Sequence, residues 1–347
     1  MANEQKRTFK RLDEVFKSAP TLPLNGGSKY AIMSDIHLGD GGQADNFHSN
    51  EEALAAGLKY YRTNDYSLIL LGDIEELWQF DLEKIVDRYG SSIYKLIKAF
   101  KPGRVHRVFG NHDIEWGSPP DPTANKPGKS HGAPEGLKLV DETGTARILL
   151  VHGHQGTSES DKYAWISRFA VRAVTPLEWV GRLIGIKGAK NPSSPDSQVP
   201  TDFETIRYLW AKRKRRMLIC GHTHRAIFAS ESWGAKLRRR IAELQAEIQM
   251  ATDEVNTADL YADLRKLREQ LQEEQDRGRD TEPLDSKPKR KPKPCYFNTG
   301  CGVYTSGPTC IEIADGNIGL VKWAKTYSGG RRKPLREESL TDYLKKL

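Results

Sequence analysis

The sequence predicts an α/β fold, and two observations carry that expectation. Short apolar runs alternate with helical patterns through the first two-thirds of the 347 residues, the pattern of layered sheets and helices. The main runs also end in small clusters of Asp, Asn, His and Gly. Open α/β sheets bind ligands beyond the carboxyl ends of their strands, where loops converge. The clusters therefore mark where a site should form.

Residues 1–27 read as an N-terminal helix or extension, and 28–234 as the core. The first expected strand, Tyr30–Ser34, leads into Asp35. Glu51–Arg62 is an expected helix. The strand Ser67–Leu71 runs into Gly72 and Asp73. Leu82–Phe100 is expected to be helical, and the strand Arg104–Phe109 runs into GNHD. Arg147–Val151 leads into HGH, and Met217–Cys220 into GHTH. From residue 295, CYFNTG, TCIEIA and NIGLVKW read as further strands of a C-terminal core segment, 295–325.

Three segments interrupt this core. Trp116–Pro134 is rich in Pro, Gly and Lys and reads as a long loop. Tyr163–Ile186 is apolar and helical, within a cap at 160–190, with Arg168, Arg172 and Arg182 interspersed and a kink expected at Pro176. Such a cap can pack on the core or a second subunit, line a pocket for an apolar substrate, or make peripheral contact with a membrane surface.

The third segment, 235–280, carries an apolar stripe. Leu237, Ile241, Leu244, Ile248, Ala251 and Val255 keep one 4-3 rhythm, and Leu260, Leu264, Leu267 and Leu271 another. Asn256, Thr257 and Asp259 at the break are turn and N-cap residues. One helix of about 45 residues would carry the chain roughly 65 Å away. The linker 281–294 stretches only about 50 Å, so a coiled-coil hairpin is expected. It would serve as a protein–protein element or homo-oligomer clasp.

Hydrophobic residues make up 37% and charged residues 29%, as in a globular protein with extended polar surface. No apolar run reaches the roughly 18 residues needed to span a bilayer. The N-terminus lacks the apolar core of a secretory signal, so a cytoplasmic location is expected. The four cysteines, Cys220, Cys295, Cys301 and Cys310, form no C-x-x-C pair and read as buried thiols. The net charge of +8 favours anionic partners. It concentrates in the Pro-rich linker 281–294 and a basic tail, 326–347. Such runs are mostly solvated, so nucleic acid is the less favoured partner.

Chemistry is concentrated at the strand ends. In extended chain, side chains at i and i+2 share a face. Asp35 and His37 are so placed to reach one ion, and the same logic applies to His222 and His224. Asp73 offers two oxygens to bridge two ions, and Asn111 a neutral carbonyl. This mixed O/N set suits Mn, Fe or Zn.

The ordered set D-x-H, G-D, G-N-H-D, H-G-H, G-H-T-H, from Asp35 to His224, resembles the calcineurin-like metallophosphoesterases. The resemblance implies a four-layer αββα sandwich holding two divalent metal ions, Mn foremost with Fe or Zn as alternatives. One ion would lie on Asp35, His37, Asp73 and His224, the other on Asp73, Asn111, His152 and His222. The substrate would be a phosphomonoester or phosphodiester, attacked by hydroxide formed at the metal pair. His112 would protonate the leaving oxygen or stabilise the equatorial charge, with Asp113 orienting it. No Ser or Cys stands out as a nucleophile.

The stretch GDIEELW, with Glu76 and Trp78, is similar to the G-D-x-x-E-x-W of the UDP-diacylglucosamine pyrophosphohydrolases, which also carry a cap. Those enzymes typically have Arg where this chain has His112, so their substrate does not transfer. Glu76, Trp78, Arg225 and His154 are candidates for substrate contact or for supporting the ligands. His154 can also be read as a surface residue. His106 reads as structural, and His48 and His131 as loop residues.

Overall fold

The computed structural model describes residues 2–117, 132–156, 201–250, 254–276, 292–327 and 329–347. Most of the expected long loop, the helical segment 163–186 and most of the basic linker lie outside the described residues.

The strands sort their side chains by simple alternation. In β3 (Ser67–Leu71), Ile69 and Leu71 face one way and Leu68 and Leu70 the other, and all four are buried. The same holds for β6 (Ala146–Val151) and β7 (Met217–Cys220): Ile148, Leu150, Met217 and Ile219 share one core, Leu149, Val151, Leu218 and Cys220 another. A strand buried on both faces must have a layer on each side. Four layers result.

One sheet runs β13–β12–β11–β2–β3–β4, with β2 at Tyr30–Met33, β4 at Val105–Val108, β11 at Thr309–Ala314, β12 at Asn317–Thr326 and β13 at Gly329–Ser339. The other runs β1–β5–β6–β7–β10–β8–β9, with β1 at Thr21–Pro23, β5 at Gly136–Val140, β8 at Ala226–Phe228, β9 at Glu231–Ser232 and β10 at Tyr296–Thr299. Between the sheets lies a core that includes Ile32, Ile69, Val108, Ile148, Ile219, Phe297 and Ile311. Helices α2 (Glu51–Thr63), α3 (Leu82–Tyr89) and α4 (Lys95–Lys98) cover the first sheet, packing Leu54, Leu58 and Ile85 on Leu68, Leu70 and Trp323. Helices α1 (Ala2–Ser18) and α5 (Thr201–Lys214) cover the second, through Leu12, Val15 and Trp210. The predicted four-layer α/β sandwich is present.

Several expectations change in detail. The helix expected over Leu82–Phe100 is interrupted by a π-turn at Gly90–Tyr94. Within residues 326–347, read as a basic tail, lie all of β13, paired antiparallel along β12, and α8 (Leu340–Lys345). The strand was obscured because its inward positions are charged. Arg332 bonds Glu312, and the buried Arg336 lies 3.6 Å from Glu231. Between β9 and β10 are two helices, α6 (Trp233–Met250) and α7 (Glu254–Asp276), which pack together and bury Leu237, Leu244, Leu264 and Leu271. Residues 251–253 lie outside the described residues, and α7 is already helical from Glu254. Asn256, Thr257 and Asp259 lie within α7, since such residues cost a helix only about 0.7 kcal/mol each. All four cysteines are buried free thiols. Among the described residues, no helix is long and apolar enough to cross a membrane.

Candidate metal centre

Strands β2, β3 and β4 are mutually parallel, as are β6 and β7. Their carboxyl ends therefore deliver Asp35, Asp73, Asn111, His152 and His222 to one place. The loops are tied together by backbone bonds: Asp35 N–H to Gly72 O, His37 N–H to Asp73 O, and Gly221 N–H to His152 O.

Asp35, His37, Asp73, His222 and His224 all have φ between 51° and 70°. Left-handed backbone is costly for residues with a Cβ, and such strain gathers where function requires it. It also corrects the expectation drawn from extended chain. Asp35 and His37 do converge, with His37 Nε2 3.9 Å from Asp35 Oδ1. His222 and His224, with the same spacing, diverge to two different clusters. The backbone there is turned, so alternation along a strand does not apply.

The first cluster is Asp35, His37 and His224. His37 Nε2 and His224 Nε2 face each other at 3.1 Å, and His224 Nε2 lies 3.3 Å from Asp35 Oδ1. The second is Asp73, His152 and His222. His152 Nδ1 lies 3.0 Å from the Leu71 carbonyl, which only accepts, so hydrogen sits on Nδ1 and Nε2 is turned into the pocket. Nε2 lies 3.0 Å from Asp73 Oδ2 and 3.2 Å from Asn111 Oδ1. Asp73 Oδ2 is also 4.0 Å from His37 Nε2, so this carboxylate stands between the clusters.

Acceptors and lone pairs crowded together in a buried site repel unless positive charge joins them. The titration behaviour shows the same demand. Burial works to lower the His152 pKa, but Asp73 and Asp35 outweigh it and push it up to about 9. Burial works to raise the Asp73 carboxyl, but His152, His112 and His37 hold it well below the usual carboxylate range. Asp35 is likewise lowered, burial being outweighed by His152 and His224. By contrast, burial lowers His222 well below its ordinary value, which keeps it a neutral electron-pair donor. The donor set fits divalent metal ions.

His112 stands beside the clusters, its backbone N–H on Asp73 Oδ1 at 2.8 Å. Burial would lower its pKa, yet Glu76 and Asp73 push it to about 9. The expected orienting role of Asp113 is not found. Its carboxylate accepts from Gly110 N–H at 2.6 Å and Ile74 N–H at 2.9 Å, which braces two ligand loops. Glu76 occupies the position beside His112 Nδ1, at 2.7 Å. Trp78 stacks on the His112 ring, centroids 3.9 Å apart, and donates to Asn111 O.

His154 is buried and not at the surface, its ring 5.6 Å from that of His152, and burial takes its pKa down to about 3. Arg225 is half-buried and 3.2 Å from Glu204, which also accepts from Thr223 Oγ1. His106 lies in β4, and His48 is 3.3 Å from Arg88.

Sequence reasoning did not find several supporting residues. Ser34 bonds both Asp35 and Thr299. Arg207 of α5, fully buried, donates to the carbonyls of Gly153, Gln155 and Phe203 and so clamps the HGH loop. Asn298 donates to Gly221 O at 2.7 Å. Arg207 and Asn298 stand apart from the motifs, and Ser34, though next to Asp35, reads only as the end of its strand. Gly221 shows how tightly the loops are packed: a Cβ there would land on Ser34 Oγ and Asp35 Oδ2. Gly221→Ala is expected to displace Asp35, destabilise the fold by about 1–3 kcal/mol and weaken metal binding, as read by denaturant unfolding and metal titration. Wild-type values in both would show that the loop can yield.

A comparison with curated proteins returns no match. Among solved structures, the chain is similar to vacuolar protein sorting 29 from Cryptosporidium parvum, at 12% identity, covering 90% of this chain and 98% of that one with a TM-score of 0.33. It is similar also to a single mutant of Vps29 from Entamoeba histolytica, at 12% identity, covering 88% and 98%, with a TM-score of 0.31. The family comparison bears on the site itself. The calcineurin-like phosphoesterase profile matches residues 28–226, the stretch that holds every strand-end cluster described above. With that match over more than half its length, the chain belongs to the calcineurin-like phosphoesterase family.

Proposed function

We propose that this protein is a dinuclear metal-dependent phosphoesterase that hydrolyses a phosphomonoester or phosphodiester directly. The observation that carries the reading is the position of Asp73 between two clusters of metal-ligating atoms, Asp35/His37/His224 and Asp73/His152/His222. Asn111 completes the second set through its carbonyl oxygen, 3.2 Å from His152 Nε2. The mixed O/N donors suit Mn, with Fe or Zn as alternatives.

When bound, two divalent cations acidify a water and neutralise charge on a phosphoryl group. The chain's own residues supply the rest. Asp73 provides negative charge to both positions. His152 is held in its useful tautomer by Leu71 O. His112 keeps a proton available for the leaving oxygen, with Trp78 fixing the ring plane. Asp35, His37, Asp73, His152 and His224 are buried, which limits competing water. A nucleic-acid substrate has less support than the sequence offered, because part of the basic tail is in β13 with Arg332 paired to Glu312.

The test is metal removal. Chelated protein is expected to lose turnover of a generic aryl phosphate by at least about 10²-fold, and added Mn²⁺ to restore it. Turnover unchanged by chelation, with metal loss verified by elemental analysis, would refute the reading.

A further inference from the structure

We propose that Thr299, which lies beyond the helical hairpin and outside the family-matched residues 28–226, is a positioning residue for the first ligand cluster, acting on Asp35 through Ser34. The inference rests on the dinuclear reading above and deepens it, by tying a C-terminal strand to one of the two clusters.

Register brings Thr299 to the site. β10 pairs parallel with β7, Asn298 opposite Cys220, and antiparallel with β8, Thr299 opposite Ala226. Thr299 therefore stands level with the start of GHTH. The chain then leaves one sheet for the other. It turns at Gly300, in left-handed backbone at φ 76°, and enters β11, which pairs with β2. On the way, Gly302 N–H donates to Asp35 O at 2.8 Å. Two bonds brace the crossing: Thr309 Oγ1 donates to Thr299 O at 2.7 Å, and Gly300 N–H to Asn298 Oδ1 at 3.0 Å.

The side chains form a relay. Thr299 Oγ1 lies 2.6 Å from Ser34 Oγ, and Ser34 Oγ bonds Asp35 Oδ2. All three residues are buried. A hydroxyl has one hydrogen and a carboxylate only accepts, so Ser34 donates to Asp35 and Thr299 to Ser34. The other acceptors near Thr299 Oγ1, the Cys220 and Gly300 carbonyls, are each 3.5 Å away. His222 N–H meets the same carboxylate, 2.8 Å from Oδ2 and 3.0 Å from Oδ1. Ser34 and His222 together hold Oδ2. Oδ1 is turned toward the cluster, 3.3 Å from His224 Nε2 and 3.9 Å from His37 Nε2. Without the Thr299 hydroxyl, Ser34 loses its own anchor, and the carboxylate that leans on it loses its fixed aim. Asp73 is anchored separately, by the His112 N–H at 2.8 Å. The effect should therefore fall on one ion of the pair.

The experiment titrates full-length, metal-free wild type, Thr299→Val and Thr299→Ser with Mn²⁺ by calorimetry, and counts bound ions by elemental analysis. Valine keeps the branched shape without the hydroxyl, and serine keeps the hydroxyl. Thr299→Val is expected to bind one ion as wild type does and the other about 10–100-fold more weakly. Thr299→Ser should bind both as wild type does. In His37→Ala, which lacks a ligand of the first cluster, adding Thr299→Val should leave the remaining ion's affinity unchanged. Two ions at wild-type affinity in Thr299→Val would overturn the proposal. So would equal weakening of both ions, or a Thr299→Ser protein as weak as Thr299→Val, the marks of a merely structural role. If Thr299→Val does not fold, Ser34→Ala takes its place: the same loss of one ion supports the relay, and wild-type affinity for both overturns it. A wild type that bound no Mn²⁺ and cleaved no aryl phosphate would overturn both this proposal and the phosphoesterase reading. A wild type that bound two ions and cleaved the ester, matched by Thr299→Val in both affinities, would overturn this one alone.

Discussion

Asp73→Asn is expected to lower phosphoester turnover by at least about 10³-fold, since losing a single charge-stabilising donor in an active site already costs about 10²–10³. The substitution keeps the shape of the side chain but removes its charge and converts one acceptor into a donor. Asp73 lies in left-handed backbone, between the two ligand clusters, with Oδ1 on the His112 amide and Oδ2 on His152. One change therefore affects both metal positions and the placement of His112. Elemental analysis should find fewer than two ions per chain, while circular dichroism keeps its wild-type form. A folded variant that retained turnover within tenfold of wild type would end the dinuclear reading.

The largest expected loss of stability follows Arg107→Ala. Arg107 bonds Glu75 through two nitrogens, at 2.6 and 2.9 Å, and lies 3.6 Å from Asp113. Glu75 is fully buried and also accepts from Tyr94 Oη at 2.7 Å and Trp116 Nε1 at 3.0 Å. Removing the guanidinium strands a buried negative charge, which typically costs about 3–5 kcal/mol. Urea unfolding should show a loss of that size, and Arg107→Lys should recover only part of it, because a lysine lacks the planar fork. Adding Glu75→Gln to Arg107→Ala should regain stability, since the stranded charge is gone. A loss under about 1 kcal/mol would place the pair among weakly coupled surface ion pairs.

The parts of this protein that were legible in the sequence were those set by local chemistry. β3, β6 and β7 are continuous apolar runs, and each ends on its motif, so both strand and ligand could be read together. The residues that hold the ligands in place were hidden for a different reason. Arg207 and Asn298 reach the site only through tertiary contact, and an isolated Arg or Asn gives no local pattern. Asp113 shows the opposite error. Its place next to His112 in GNHD suggested a direct bond, but the turned backbone sends its carboxylate to Gly110 and Ile74, and Glu76, thirty-six positions earlier, takes the role. β13 was missed because arginines occupy positions where a strand usually shows apolar side chains, their charges met by Glu312 and Glu231.

The strand order has a consequence for biosynthesis. Ile32 pairs with Ile311, and Phe297 with Ile219, so segments that leave the ribosome last must insert beside strands made much earlier. At translation rates of about 5–20 residues per second, β2 waits on the order of tens of seconds with one edge open. Exposed strand edges invite association with other chains. A nascent polypeptide halted before Tyr296 would carry every proposed metal ligand yet lack β11–β13 beside β2 and leave the other sheet broken between β7 and β8, a candidate for chaperone capture rather than a smaller folded protein.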